Sequence, residues 1–228
     1  MARPKTQLYM LMSLDGKIST GDTDILDVDQ DFPNIAGVSE GLQQYYDIEK
    51  TTDINSFNTG RVMAKIGMND PERGVTKIGV DFIIVDNSHL TVTGVRNLMK
   101  RSKALYLVTA NEQHPAYTIS PQENLTIIGY KKSIDFTDLF DKLGNKYGMR
   151  RLTVQSGGTI NAELMRAGLI DKISVLVAPA IIGGATTSTL VDGESQHNLT
   201  DLKQIKALEL VKVVKLKNSY LHLVYKVV

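Results

Sequence analysis

Two adjacent glycines, Gly157 and Gly158, follow a short β-branched run at 151–156 and precede Ile160, Leu164, Met165 and Leu169 at helical spacing. A strand that passes through two glycines into a helix gathers free N–H groups and the positive end of the helix dipole at one point. A phosphate is stabilised there. The spacing is neither the six-residue dinucleotide fingerprint nor a Walker loop, and a tight turn accounts for the pair equally well. Two other stretches carry comparable chemistry. Ser13-Leu14-Asp15-Gly16-Lys17-Ile18 closes the apolar run at 7–13, so a carboxylate and an ammonium flank the carboxyl end of a strand, where open α/β sheets bind ligands. The alternative is a solvated turn. Thr59-Gly60-Arg61 leads into a second helix. A cation at a helix start opposes the dipole, so Arg61 there marks either a bound anion or an exposed side chain.

Other chemistries are poorly supported. His89, His114, His197 and His222 are scattered without zinc-ligand spacing, and cysteine is absent, which removes thiolate metal sites, thiol nucleophiles and disulfides. No Gly-x-Ser-x-Gly elbow occurs. The aspartates between 20 and 38 lack the glycine and glutamate offsets of a calcium loop, so no metal is expected. They read as a long loop, a flap over the site.

The 228 residues carry 26 basic and 25 acidic side chains, a net charge of +1, and aromatics make up only 6%. That balance argues against nucleic acid and against a charged membrane surface. No apolar run reaches the length of a membrane span, and the start lacks the apolar core of a signal peptide. The expectation is a soluble, cytoplasmic protein.

The elements that must position these turns follow from periodicity. Strands are expected at 7–13, 53–58, 81–86, 104–110, 124–130, 151–156 and 172–178. Amphipathic helices are expected after Ser39, read as an N-cap, around Val95, Leu98 and Met99, and around Phe136, Leu139, Phe140 and Leu143. Gly168 is expected to stop the helix that follows the glycine pair. The tail at 208–225 alternates and turns at Asn218-Ser219, a terminal antiparallel hairpin. The result is one α/β domain over 1–228, a mostly parallel central sheet with helices on both faces and that hairpin at its edge. The exposed hairpin edge suits a second subunit, hence a homodimer.

Order and spacing of the motifs add a family. Ser13-Leu14-Asp15-Gly16-Lys17, Thr59-Gly60-Arg61, Gly157-Gly158-Thr159-Ile160-Asn161, Leu169-Ile170-Asp171 and the 179–184 run together resemble the RibD C-terminal family, the reductase domain of riboflavin biosynthesis. The resemblance implies a dihydrofolate reductase-like fold and NADPH as hydride donor. It implies that Gly157, Gly158, Thr159, Ile160 and Asn161 hold the pyrophosphate, that Thr59, Gly60, Arg61 and Met63 form an opposite wall, that Asn87 lies near the adenosine and Leu11 by the nicotinamide. Lys17 and Gln155 would be the catalytic pair, with Asp15, Lys17 and Gln155 on the substrate, a ribosylamino pyrimidine 5′-phosphate. It also implies a cis peptide between Gly157 and Gly158. Three features depart from the family pattern. Gln155 stands where the family has glutamate, only Asp70-Pro71-Glu72-Arg73 hints at its phosphate segment, and its Ser-x-Trp element is missing. Two alternatives stay open. One is a dihydrofolate or pterin reductase using Glu40, Asp47 or Glu49; the other is a coenzyme-binding homologue without turnover.

Overall fold

The computed structural model describes residues 3–72, 74–120 and 124–228. In chain order its elements are β1 (Lys5–Met12), α1 (Val28–Asp31), α2 (Ser39–Glu49), β2 (Asn55–Thr59), α3 (Gly60–Lys65), β3 (Asp81–Val85), α4 (Val92–Arg101), β4 (Ala104–Thr109), β5 (Leu125–Gly129), α5 (Phe136–Asn145), β6 (Arg151–Val154), α6 (Gly158–Arg166), β7 (Lys172–Val177), β8 (Leu208–Lys215) and β9 (Leu221–Val227). The chain divides into two compact units. One is Asp53–Ser156 with Arg3 and Pro4; the other joins Lys5–Thr52 to Gly157–Val228.

The Asp53–Ser156 unit is built on parallel strands in the order β5-β4-β3-β2-β6. Side chains alternate between the two faces of each strand. Phe82 and Ile84 of β3 and Leu105 and Leu107 of β4 pack with Val95, Leu98 and Met99 of α4. Phe57 of β2 lies in register with Ile83, so it faces the other way, where its ring meets Phe136 and Phe140 of α5 at 6.3 and 5.7 Å. Helices therefore cover both faces of these strands, as the alternation of apolar runs and amphipathic segments implied. Asp135 caps α5 through the Asp138 amide, and Thr91 caps α4 through that of Gly94.

In the other unit β1 pairs with β7 in parallel, β7 with β9 antiparallel, and β9 with β8 antiparallel. Tyr9, Leu11, Leu176 and Ala178 form a core with Val28, Phe32, Val38, Leu42 and Tyr45. The Tyr9 and Tyr45 rings stack at 5.0 Å. The β8–β9 hairpin turns at Asn218 (φ 53°) and Ser219 (φ 62°). Two successive left-handed residues make the turn whose twist matches that of the flanking strands. Gly168 (φ 67°) ends the turn after α6.

Two expectations need correction. The acidic stretch at 20–38 is not all loop. Asp27 accepts from the Asp29 amide and caps the one-turn helix α1, followed by a 3-10 turn at Phe32–Asn34. Burial of Val28 and Phe32 in the tyrosine core holds both turns, and the aspartate serves as a cap. Ser39 is not the N-cap of α2; Val38 is, without a side-chain bond. The Ser39 amide donates to the Ile35 carbonyl at 2.9 Å, so the helix starts as a continuation of the preceding turn and needs no hydroxyl.

A buried pair links β7 and β9. Ser174 Oγ and His222 Nε2 lie 2.8 Å apart. Burial first, then Lys212 and Lys172, lowers the His222 pKa below its ordinary value. The native ring is therefore neutral where the unfolded ring begins to charge, and the unfolded chain binds more protons in that window. Stability should be full above about pH 6.5 and fall as pH drops below it. In His222→Gln, urea unfolding followed from pH 7 to 5 should lose part of this acid-side slope.

Candidate active site

Asp15 and Lys17 leave the end of β1 and turn their charges onto one segment of backbone. The Asp15 carboxylate accepts from the Ser13 hydroxyl and from the amides of Ile182 (3.1 Å) and Gly183 (2.7 Å). The Ser13 hydroxyl, then the Gly183 amide, hold its pKa down to about 2. Lys17 is 9% exposed, and its ammonium donates to the carbonyls of Gly184 at 2.7 Å and Thr187 at 2.9 Å. Backbone bonds continue the attachment: Leu14 to Ala180, Ile18 to Ser188, and Leu190 to Gly16. Leu14 and Asp15 are exposed at this turn, and the bonds of both charges go to the segment at 180–190. An ammonium has three donors, and these two bonds use two of them.

The same segment continues onto α6. Asp192 N donates to Gly158 O at 3.0 Å, and Asn161 Nδ2 to Leu190 O at 2.8 Å. A Cβ on Gly158 would collide with the Thr189 carbonyl and the Asp192 carboxylate, whereas one on Gly157 would meet nothing within 4 Å. The two glycines thus have different reasons. Gly158 makes room for the protein's own loop, and Gly157 leaves the approach to the helix open. Gly157 is the N-cap of α6 and makes no side-chain cap bond, so no cap side chain competes for the first-turn amides. These donors fit an anion such as a diphosphate.

The expected cis peptide is absent; no cis bond occurs among the described residues. Gly157 takes an extended conformation (φ −69°, ψ 159°), which carries the chain from β6 into α6 through a trans bond.

In the Asp53–Ser156 unit, Thr59-Gly60-Arg61 opens α3, and the Thr59 hydroxyl caps the Val62 amide at 3.4 Å. Arg61 is exposed and Met63 is packed in the α4-side core. Beside Gly60 lies a residue the sequence did not mark as functional, Asp86. A Cβ on Gly60 would collide with its carboxyl group. Asp86 accepts from the amides of Ser88, His89 and Leu90 and from the ring nitrogen of His114 at 2.9 Å. His114 Nδ1 accepts from the Ala116 amide, so the proton shared with Asp86 sits on Nε2. Burial acts to raise the Asp86 pKa, but the bonds from His114, His89 and Leu90 outweigh it and hold the value down to about 2. An internal anion therefore faces the start of α3. The only sequence cue was an aspartate closing an apolar run.

Other residues that the resemblance singled out are engaged within their own units. Asn87 Oδ1 accepts from Thr109 and from the Ala110 amide, which ties the end of β3 to that of β4. Gln155 Oε1 accepts from the Ser56 hydroxyl at 3.3 Å, and the Gln155 backbone N–H donates to Phe57 O. Leu11 is packed into the tyrosine core. Thr159 is exposed and Ile160 half-buried on the first turn of α6. Of the phosphate-segment hint, Arg73 lies outside the described residues. Among the described residues no cluster of His, Asp or Glu could hold a metal ion.

Comparison with known proteins places this geometry. The family model of the RibD C-terminal domain matches residues 4–221. The chain belongs to the RibD C-terminal domain family. A relative from Methanothermobacter thermautotrophicus, named 2,5-diamino-6-ribosylamino-4(3H)-pyrimidinone 5′-phosphate reductase, is 26% identical over 207 residues, 87% of this chain and 88% of its own length. A protein of the same name from Aquifex aeolicus is 27% identical over 48% of this chain and 50% of its own. Acinetobacter baumannii RibD shares the fold at a TM-score of 0.66 and 15% identity; the match covers 99% of this chain and 58% of that one. A pyrimidine reductase-like protein from Corynebacterium diphtheriae gives 0.63 at 13% identity, over 99% and 92%. The RibD fold thus carries the α/β arrangement described above.

Gly158→Ala should lower stability by about 1–3 kcal/mol, because the Thr189 carbonyl is backbone and cannot swing aside. Gly157→Ala should cost much less. Thermal unfolding of the two variants side by side checks this.

Proposed function

We propose that this RibD-family chain is an NADPH-dependent reductase of 2,5-diamino-6-ribosylamino-4(3H)-pyrimidinone 5′-phosphate, the compound named for its Methanothermobacter relative. The observation that carries the reading is the open, uncapped first turn of α6 behind Gly157, in a chain that this reductase matches over most of its length.

The coenzyme would supply a hydride to the carbon exposed as the ribosylamino ring opens. The chain's own part is binding and orientation. The first-turn amides of Gly158, Thr159 and Ile160 take the pyrophosphate, aided by the helix dipole. The remaining donor of Lys17 takes a ring carbonyl of the substrate. A buried ammonium aimed by two carbonyls is a fixed donor, so it adds orientation as well as attraction. In the Asp53–Ser156 unit, Gln155 and the Thr59–Gly60–Arg61 turn remain proposed ligand contacts. Gln155 offers a neutral hydrogen bond and cannot relay a proton, so the proton that completes the reduction comes from elsewhere. No helix among the described residues is long and apolar enough to cross a membrane.

Purified protein should oxidise NADPH when given the pyrimidinone phosphate and leave it untouched with dihydrofolate. Oxidation with dihydrofolate alone would favour the pterin reading. Saturable NADPH binding with no oxidation by either compound would make the chain a binding homologue.

We also propose a homodimer through β8. Leu208, Leu210, Val211 and Val213 are 44 to 60% exposed, and in its unit β8 pairs with β9 alone. An apolar edge strand of this kind invites a second copy. Light scattering should give twice the chain mass, and Val211→Lys should halve it. A wild-type monomer at micromolar concentration would overturn this.

A further inference from the structure

The resemblance would put Asp15 on the substrate, but its oxygens are already in use. A carboxylate offers about four acceptor positions, and Asp15 spends three on the Ser13 hydroxyl and the amides of Ile182 and Gly183. The segment it holds is the one that holds Lys17. Gly183 and Gly184 have φ of +74° and +82°, a conformation that L side chains rarely adopt. In this conformation the amides of 182 and 183 meet Asp15, while the carbonyls of 184 and 187 meet the Lys17 ammonium. Lys17 and Asp15 make no ion pair within 4 Å among those the structure shows. Ser13 also joins them, its hydroxyl donating to the Asp15 carboxylate and accepting from the Lys17 backbone amide, but the bonds of the Lys17 ammonium itself go to the strap. Lys17 is also the only buried lysine or arginine among the described residues. Its position is set by the two carbonyls, and Asp15 holds their strap by side-chain bonds where Leu14 and Ile18 hold it by backbone bonds.

We propose that Asp15 is a positioning residue: by gripping the Ile182 and Gly183 amides it fixes the strap whose Gly184 and Thr187 carbonyls aim the Lys17 ammonium at the substrate. The proposal rests on the reductase reading above. It differs from direct substrate binding by Asp15 in one measurable way. If Asp15 works through the strap, disturbing the strap and removing the carboxylate damage the same thing.

The test is a double-mutant cycle of Asp15→Asn and Gly184→Ala, read by NADPH oxidation with the pyrimidinone phosphate. A methyl group on Gly184 would collide with the Thr187 side chain as well as oppose the positive φ. Each single variant should lower kcat/KM for the pyrimidinone phosphate about 10- to 100-fold, as misplacement of a binding group does. The KM for NADPH should stay within about twofold, since a general loss of structure would move both. The double variant should be no worse than about twofold below the poorer single, the mark of two residues acting as one unit. Gly183→Ala is the replacement for Gly184→Ala if that variant does not fold. Multiplied losses in the double variant would show that Asp15 and the strap act independently and would overturn the proposal, as would an Asp15→Asn enzyme with unchanged kcat/KM. If the wild-type chain oxidises no NADPH with this substrate, the reductase reading falls and takes this proposal with it. An active wild type with multiplied losses removes the positioning role alone.

Discussion

A glycine-rich loop has no side chains with which to hold itself, and its backbone amides and carbonyls are costly to bury unpaired. In this protein that constraint falls on the segment at 180–194. Its amides are met by the Asp15 carboxylate and its carbonyls by the Lys17 ammonium. Farther along it is fastened to the first turn of α6 by Asn161 and by the bond from Asp192 to Gly158. Within the Lys5–Thr52 and Gly157–Val228 unit, the Lys17 ammonium and the first turn of α6 are thus held by one continuous stretch of backbone. Their precision is that of hydrogen bonds to charged groups, which are roughly twice as strong as neutral ones.

The Asp53–Ser156 unit uses a related device. Gly60 at the first turn of α3 lies against the Asp86 carboxyl group, as Gly158 at the first turn of α6 lies against that of Asp192. In each case the missing side chain makes room for an acid of the protein itself. Asp86 is secured in turn by His114, whose other nitrogen is fixed by the Ala116 amide. A chain of hydrogen bonds thereby sets the shape of the turn.

Much of this was legible in the residues. Period-two apolar runs and the helical repeats at Val95–Met99 and Phe136–Leu143 place strands and helices because burial of one face dictates them. Asn218-Ser219 announced the hairpin turn because few residues tolerate two left-handed conformations in succession. The glycine pair, the Asp-Gly-Lys turn and Thr59-Gly60 marked strand ends because only backbone geometry of that kind lets a chain turn so closely. Each of these signals is local, so a single stretch of sequence contains it.

What tertiary structure decided was the partner of each marked residue. Asp15 and Lys17 lie about 170 residues from the loop they hold, and His114 lies 28 from Asp86. Sequence determined that charges stand beside glycine turns at the ends of strands. It did not determine that Asp15 and Asp86 would be met by the protein's own amides and Lys17 by its carbonyls. A carboxylate accepts equally from a neighbouring loop or from a ligand, and only folding, by bringing a distant backbone within hydrogen-bond reach, settles which of them it meets.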